Sequence, residues 1–223
     1  PFFHGNIICC FASLKEQSPW QKEMETPPDP AETVYSAIDY RQGLLVVYTA
    51  NEKASDKIGL DVKLMNFLER SGLKKNLSRI GIGSPVKGLE NLGTAIQESL
   101  YANSSCLLDQ SEVLRFCDSG LDRILLPAAE SPWTRQYYES LLSKIMEYDA
   151  KHGAKLMETV MEYLGNSGDM KLTAQKMFQH SNTIRYRVEK IKKLLGLGDD
   201  PGSFAQLYAF VRLHEIYRNR SDT

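Results

Sequence analysis

Seven basic side chains gather between residues 166 and 195, where only two acidic residues, Asp169 and Glu189, oppose them. The seven are Lys171, Lys176, Arg185, Arg187, Lys190, Lys192 and Lys193. This segment therefore carries a charge of +5, while the whole chain of 223 residues carries −1 and the rest of it −6. A local excess of lysine and arginine is what binding to phosphate groups requires, whatever the total charge. The chemistry predicted for this segment is phosphate binding.

The same segment is predicted to contain two short helices around a tight turn. The first covers Met170–Phe178, and the second begins at Asn182-Thr183, residue types that cap helix N-termini. Gln179-His180-Ser181 is too short for anything but a turn, and Gly196 ends the second helix. The side chains of the first helix that are available to pack inward are Leu172, Ala174, Met177 and Phe178.

The second helix is predicted to be apolar on one side and cationic on the other. Its apolar residues are spaced four, three and four apart: Ile184, Val188, Ile191 and Leu195. Once that stripe is buried, the side chains that must point elsewhere are Arg185, Tyr186, Glu189, Lys190 and Lys193, with Arg187 at the flank. This pattern is typical of a helix-turn-helix, whose second helix enters the major groove of DNA. The alternative is a helix pair whose cationic side is only a solvated surface.

The residues from Phe178 to Ile191, followed by Leu195-Gly196-Leu197, resemble the C-terminal helix-turn-helix of the PucR/CdaR family of bacterial transcription regulators. Upstream, the residues that look like the preceding helix of that family are Glu147-Tyr148-Asp149, His152-Gly153, Leu156, Thr159 and Tyr163-Leu164. Ile80–Pro85, Gly88-Leu89-Glu90 and Asp118–Leu121 are weakly similar to its GGDEF-like middle domain. The resemblance implies a sequence-specific DNA-binding regulator whose sensory domain, which binds a small-molecule effector, lies before Pro1.

Two departures from the family pattern matter. Position 181 is often Arg in the family and is Ser181 here, which removes a contact to guanine or phosphate. The segment 13–33 matches poorly the helix that the middle domain usually has there.

Ten residues are the candidates for DNA contact: Lys176, His180, Ser181, Asn182, Thr183, Arg185, Tyr186, Arg187, Lys190 and Lys193. At the end of the turn and the start of the second helix, the residues expected near base edges or the nearest phosphates are His180, Ser181 and Asn182. Asn182 and Thr183 serve equally well as plain helix caps. Arg185, Tyr186 and Lys190 are expected to contact bases or phosphates, and Lys176, Arg187 and Lys193 the backbone. His180 is interpreted as a hydrogen-bonding residue, and no metal or other cofactor is predicted.

The expected partners are double-stranded DNA and a second copy of the chain, because one helix-turn-helix seldom makes enough base contacts by itself. The competing hypothesis is a module that senses a metabolite or contacts other proteins without binding DNA. An enzyme is not predicted, since no nucleophile–base pair, carboxylate dyad or metal cluster stands out.

Residues 1–130 are predicted to form a small α+β sandwich of the GGDEF-like type, in complete or incomplete form, and residues 131–223 an all-α domain. The predicted strands are His4–Ala12, Val34–Tyr40, Leu44–Thr49 and Arg79–Ile82. Two amphipathic helices follow from apolar spacing at 60–68 and 89–100, and Ser13–Pro30 and Gly83–Gly88 are predicted loops. Arg41-Gln42-Gly43 is expected to close a hairpin with Gly43 in the left-handed conformation.

Gly81-x-Gly83 has two interpretations, a turn or, less favoured, a phosphate cradle. The chain has no Gly-Gly-Asp/Glu-Glu-Phe run, so cyclase activity is not expected. Cys9, Cys10, Cys106 and Cys117 lack metal-ligand spacing and are interpreted as reduced core residues of a cytoplasmic protein. No apolar run approaches the ~20 residues of a membrane span, so a soluble chain without membrane contact is predicted.

Overall fold

The computed structural model describes residues 6–15, 33–50, 59–198, 200 and 202–221. The chain forms two compact units that divide between Arg123 and Ile124, whereas the sequence placed the boundary at about residue 130. The first unit is built on a β-sheet, and the described residues of the second form helices without strands. The predicted sequence of a mixed α and β part followed by a helical part is therefore confirmed.

The described strands of the first unit form one mixed sheet. In chain order they are β1 (Asn6–Leu14), β2 (Thr33–Tyr40), β3 (Gly43–Ala50), β4 (Leu77–Ile82), β5 (Val86–Lys87) and β6 (Val113–Arg115). Across the sheet the order is β2-β3-β1-β4-β6, and β5 pairs with the first two residues of β1. Only β4 and β6 run parallel. The two residues of β5 lie in the segment that was predicted to be a loop.

The sheet is covered on both faces because successive side chains of β1 point to opposite sides. Ile8, Cys10 and Ala12 pack in the cluster that contains α1 (Leu60–Arg70). Ile7, Cys9 and Phe11 pack on the other side, against α2 (Leu92–Asp109). A strand buried on both faces accounts for the continuous apolar run that the sequence shows in β1.

Three of the four cysteines are buried free thiols, as predicted, but Cys117 is exposed. Burial raises the pKa of the Cys9 thiol to about 12, so this side chain stays protonated at neutral pH.

The hairpin between β2 and β3 forms where it was predicted, but its left-handed residues are different. Arg41 and Gln42 have positive φ values of 44° and 60°, whereas Gly43 belongs to β3. Position 43 has no room for a side chain, because a Cβ there would lie 2.6 Å from the carbonyl oxygen of Ala12 and 2.6 Å from the Phe11 ring. The prediction of a left-handed Gly43 was wrong.

Gly81 and Gly83 serve the packing of β4 against α2. A Cβ on Gly81 would lie 2.1 Å from the backbone nitrogen of Asn103, and one on Gly83 would lie 2.4 Å from the carbonyl oxygen of Ala95. Asn103 donates from its side chain to the carbonyl oxygen of Arg79 in β4 over 2.8 Å. Gly81 lies inside β4, so the turn interpretation was wrong for this residue, whereas Gly83 begins the connection from β4 to β5.

Six α-helices follow the sheet in the described residues. They are α3 (Asp122–Ala128), α4 (Pro132–His152), α5 (Leu156–Gly165), α6 (Met170–Lys176), α7 (Ser181–Leu195) and α8 (Gly202–Ser221). The apolar stripe of α7 is buried as predicted, with Ile184 and Ile191 fully inaccessible to solvent. None of the described helices has both the length and the apolar character needed to cross a membrane.

Candidate nucleic-acid interface

The helix α6 and the turn after it hold α7 in place. Asp169 is the N-cap of α6, and its carboxylate accepts hydrogen bonds from the backbone nitrogens of Lys171 (2.8 Å) and Leu172 (3.0 Å). Ala174 and the partly buried Met177 pack against Ile184 and Val188. The tight pairing of α6 and α7 across this small core is the helix-turn-helix that the spacing predicted.

The turn reverses the chain at Phe178, which adopts the left-handed conformation with a φ of 53°. Its side chain is 93% exposed, and Leu172 is 40% exposed. The prediction that these two residues pack inward was wrong. The helix α6 ends at Lys176, so Phe178 lies beyond it, and Leu172 lies on the exposed side of α6.

The helix α7 begins at Ser181, one residue earlier than predicted, and His180 is its N-cap. The Nδ1 atom of His180 accepts a hydrogen bond from the backbone nitrogen of Asn182 over 3.2 Å. The interpretation of Asn182 and Thr183 as caps was therefore wrong. The exposed side chain of Asn182 and the half-buried side chain of Thr183 are both left for other contacts.

The exposed side of α7 brings several of the candidate residues together. Arg185, Tyr186 and Lys193 are exposed beside Asn182, opposite the buried stripe, as expected at about 100° per residue. Ser181 is half-buried in the first turn. Glu189 is the acidic exception on this side. Four of the five side chains that were predicted to point outward are thus exposed on one mainly cationic surface, and the fifth, Lys190, is half-buried.

Arg187 is separate from that surface. It is half-buried, and its Nη1 atom donates a hydrogen bond to Oγ1 of Thr159 in α5 over 3.2 Å. Lys176 is exposed, and its ammonium lies 3.4 Å from the carboxylate of Glu162. The structure therefore places Arg187 against the helical core and Lys176 beside it, at the end of α6.

Tyr148 of α4 contacts two of the candidate residues. Its hydroxyl lies 3.0 Å from that of Tyr186, and the ammonium of Lys190 lies 4.3 Å from the centre of its ring. The ring of His152, one turn later, lies 4.3 Å from the same ring. The hydrogen bond with Tyr186 raises the pKa of Tyr148. Tyr186 is still 56% exposed, so this contact leaves it open to a ligand.

No role was predicted for Tyr148 or His152 from the sequence. The resemblance of residues 147–153 to the helix that precedes the helix-turn-helix was the available signal, but spacing within α4 does not show which other helix its side chains meet.

Asp149, the next residue of α4, fixes the start of α5. Its carboxylate oxygens accept hydrogen bonds from the backbone nitrogen of Leu156 at 2.7 and 2.8 Å and from that of Met157 at 3.2 Å. These nitrogens have no partner within their own helix. The carboxylate replaces a cap from the adjoining residue, because Lys155 stands there with a left-handed φ of 56°.

Replacing Asp149 with alanine is expected to lower the free energy of unfolding of the helical unit by about 1–2 kcal/mol, because a buried backbone nitrogen then lacks an acceptor. Urea unfolding followed by circular dichroism measures this change. Glu147→Ala, on the same helix, is the matched control and should stay within about 0.5 kcal/mol of the wild type. Equal stability of the two variants would contradict the capping role.

Among the described residues, no three His, Cys, Asp or Glu side chains are placed to hold a metal ion. The chemistry of the α7 surface is that of cations, hydroxyls and an amide. These groups donate hydrogen bonds to phosphate oxygens and to the edges of bases.

Comparison with known proteins points to the same segment. The model of the PucR C-terminal helix-turn-helix domain matches residues 156–213. An uncharacterized protein of Haemophilus influenzae is 32% identical over 74 residues, which are 33% of this chain and 19% of that protein. The proline-responsive transcriptional activator PutR of Bacillus subtilis is 26% identical over 133 residues, 58% of this chain and 32% of PutR.

The purine catabolism regulatory protein of Bacillus subtilis is 29% identical over 93 residues, 41% of this chain and 17% of that protein. The matched part of this chain thus spans less than a third of the length of each of these three relatives. The crystal structure of a regulator of polyketide synthase expression from Bifidobacterium adolescentis has a TM-score of 0.39 and 18% identity, over 97% of this chain and 87% of that one.

Proposed function

Since residues 156–213 form a helix-turn-helix domain of the PucR family of transcription regulators, as the resemblance predicted, we propose that this chain binds specific DNA sequences as the C-terminal portion of a PucR/CdaR-type regulator. The observation that carries the proposal is the surface of α7. Its apolar stripe is buried in the helical unit, and its cationic side is exposed. A helix of this kind fits the major groove.

The N-terminal turns of α7 supply the contacts to base edges in this proposal. Asn182 offers an amide that pairs with adenine, and Arg185 offers a guanidinium that pairs with guanine. Their exposure leaves both groups available. His180, Ser181 and Thr183 stand at the start of the helix and serve the bases there or the nearest phosphates.

The cationic residues around this centre supply affinity through phosphates. Lys193 lies on the open side of α7, and no ion-pair partner for it occurs within the described ranges. Lys176 exchanges Glu162 for a phosphate when DNA binds. Arg187, held by Thr159, acts mainly by fixing α7 on the helical core.

The proposed regulator is a dimer that responds to a small molecule. The chain acts in the cytoplasm as a homodimer on a two-fold site, and a domain upstream of it binds the small-molecule effector. The sheet-containing unit is a GGDEF-like domain without catalytic function that passes on the signal. The named relatives are regulators, which supports a function other than catalysis.

The salt dependence of binding tests the proposal without knowledge of the operator, because phosphate contacts are independent of sequence. Lys193→Ala is expected to flatten the plot of log association constant against log salt by about one unit on a mixed-sequence duplex. Lys176→Ala is expected to flatten it by less than about one unit, since Glu162 already offsets part of that charge. Fluorescence anisotropy between about 50 and 200 mM salt measures the slopes.

Lys75→Ala is the matched control, because it removes an exposed lysine from the sheet-containing unit. Its slope should equal that of the wild type. A wild-type chain that binds no duplex even at low salt would overturn the proposal and favour the module that senses a metabolite or contacts proteins.

A further inference from the structure

Tyr148 lies outside the residues that match the helix-turn-helix model, yet it contacts the exposed side of α7. The matched domain begins at Leu156, at the start of α5. Tyr148 lies on α4, 38 residues before Tyr186 in the chain. The two adjacent residues Tyr148 and Asp149 thus connect α4 to α7 and to the N-terminus of α5, respectively. The orientation of α4 is therefore coupled to the side chains that face a ligand.

The two tyrosine hydroxyls at 3.0 Å share one hydrogen bond. Each hydroxyl carries one hydrogen, so the pair retains one donor for an outside acceptor. Tyr148 is half-buried and Tyr186 is 56% exposed, which makes Tyr186 the outward donor when Tyr148 donates to it. Hydrogen bonds in such a chain polarise one another, so Tyr186 becomes a stronger donor than an isolated tyrosine.

The ring of Tyr148 acts on a second group. Lys190 places its ammonium 4.3 Å from the ring centre, a distance typical of a cation–π contact. The contact restrains a flexible side chain while the ammonium keeps its N–H donors for stronger acceptors. A hydroxyl donor and an ammonium are thereby held side by side, where α7 meets α4.

We infer that Tyr148 is a positioning residue of the DNA interface, which holds the Tyr186 hydroxyl and the Lys190 ammonium toward phosphates of the duplex. The phosphate oxygen is the ligand chemistry that suits this pair, because it only accepts hydrogen bonds and carries negative charge. The inference rests on the proposed function and narrows it: Tyr186 and Lys190, tied to α4, contact the backbone, and Asn182 and Arg185 are left to contact the bases.

A double-mutant cycle on a fluorescently labelled mixed-sequence duplex tests the hydroxyl part. Tyr148→Phe keeps the ring and is expected to weaken binding about threefold to tenfold, without changing the salt slope. In a Tyr186→Phe background the same substitution should have no further effect, because the relay is already broken. Tyr137→Phe, on the same helix and 63% exposed, is the matched control and should bind like the wild type.

A second double-mutant cycle tests the contact between the Tyr148 ring and Lys190. Tyr148→Leu removes the ring as well and should bind more weakly than Tyr148→Phe. That extra loss should vanish when Lys190 is replaced by glutamine, which itself lowers the salt slope by about one unit. Thermal unfolding of each variant accompanies the binding curves, and a loss of binding that follows a loss of folding in every variant would assign Tyr148 a structural role only.

The outcomes separate this inference from the proposed function. If the wild-type chain binds the duplex but the effects of Tyr148→Phe and Tyr186→Phe multiply, the two hydroxyls act independently and the inference fails alone. If Tyr148→Phe binds like the wild type while Tyr186→Phe does not, it also fails alone. If the wild-type chain does not bind duplex DNA at all, the proposed function fails first.

Discussion

Replacing Arg185 with alanine is expected to weaken binding to a preferred DNA site by about 1–3 kcal/mol and to affect a mixed-sequence duplex much less. The guanidinium is exposed, projects from the second turn of α7, and has no hydrogen-bond partner within the part of the chain that the structure describes. Because it is not held by the protein, it is available for a bidentate contact with a guanine, which a methyl group cannot replace.

The preferred site is obtained by letting the chain select duplexes from a random pool, and both duplexes are then titrated at one salt concentration. Arg187→Ala is the matched control, since this neighbouring arginine donates to Thr159 in α5. It should lower affinity equally for the two duplexes, through the position of α7. If Arg185→Ala loses the same affinity for both duplexes, Arg185 contacts the DNA backbone and not a base.

Replacing Gly81 with alanine is expected to destabilise the sheet-containing unit by about 1–3 kcal/mol or more. The added Cβ would lie 2.1 Å from the backbone nitrogen of Asn103 and 2.3 Å from the carbonyl oxygen of Ser99. Both atoms belong to the backbone of α2, so no side-chain rotation relieves the contact. Either α2 moves away from β4, with loss of packing on that side of the sheet, or the unit unfolds at a lower urea concentration.

Gly93→Ala is the matched control, because Gly93 lies in α2 itself and a Cβ there meets nothing within 4 Å. It should match the wild type or gain up to about 1 kcal/mol, as alanine favours a helix. If Gly81→Ala were as stable as Gly93→Ala, the close packing of β4 on α2 would not be the reason for a glycine at position 81.

Local patterns predicted the helical unit well because each pattern reports a property of one segment. The spacing of Ile184, Val188, Ile191 and Leu195 defines one side of a single helix, and a helix of this length is stable in water mainly through burial of that side. The cationic side then follows by exclusion. The similarity to PucR-type regulators concerned the same residues.

The errors occurred where a residue's role depends on a distant part of the chain or on an unusual cap. Gly43 and Gly81 were interpreted as conformational residues, but each is required because another element approaches it closely. His180 caps α7 through a ring nitrogen, although histidine is not among the residue types that helix N-caps favour. Phe178 was assigned to a helix that ends two residues earlier.

The sequence by itself determined most of the helices and the longer strands, which side of α7 is apolar and where positive charge accumulates, since all of these depend on residue type and on spacing within one element. Only the tertiary structure decided that Arg187 turns toward α5, that Tyr148 meets Tyr186 and Lys190, and that α2 fills the space beside Gly81. These facts depend on the angle and distance at which separate elements pack. The periodicity of a single segment carries no information about that geometry.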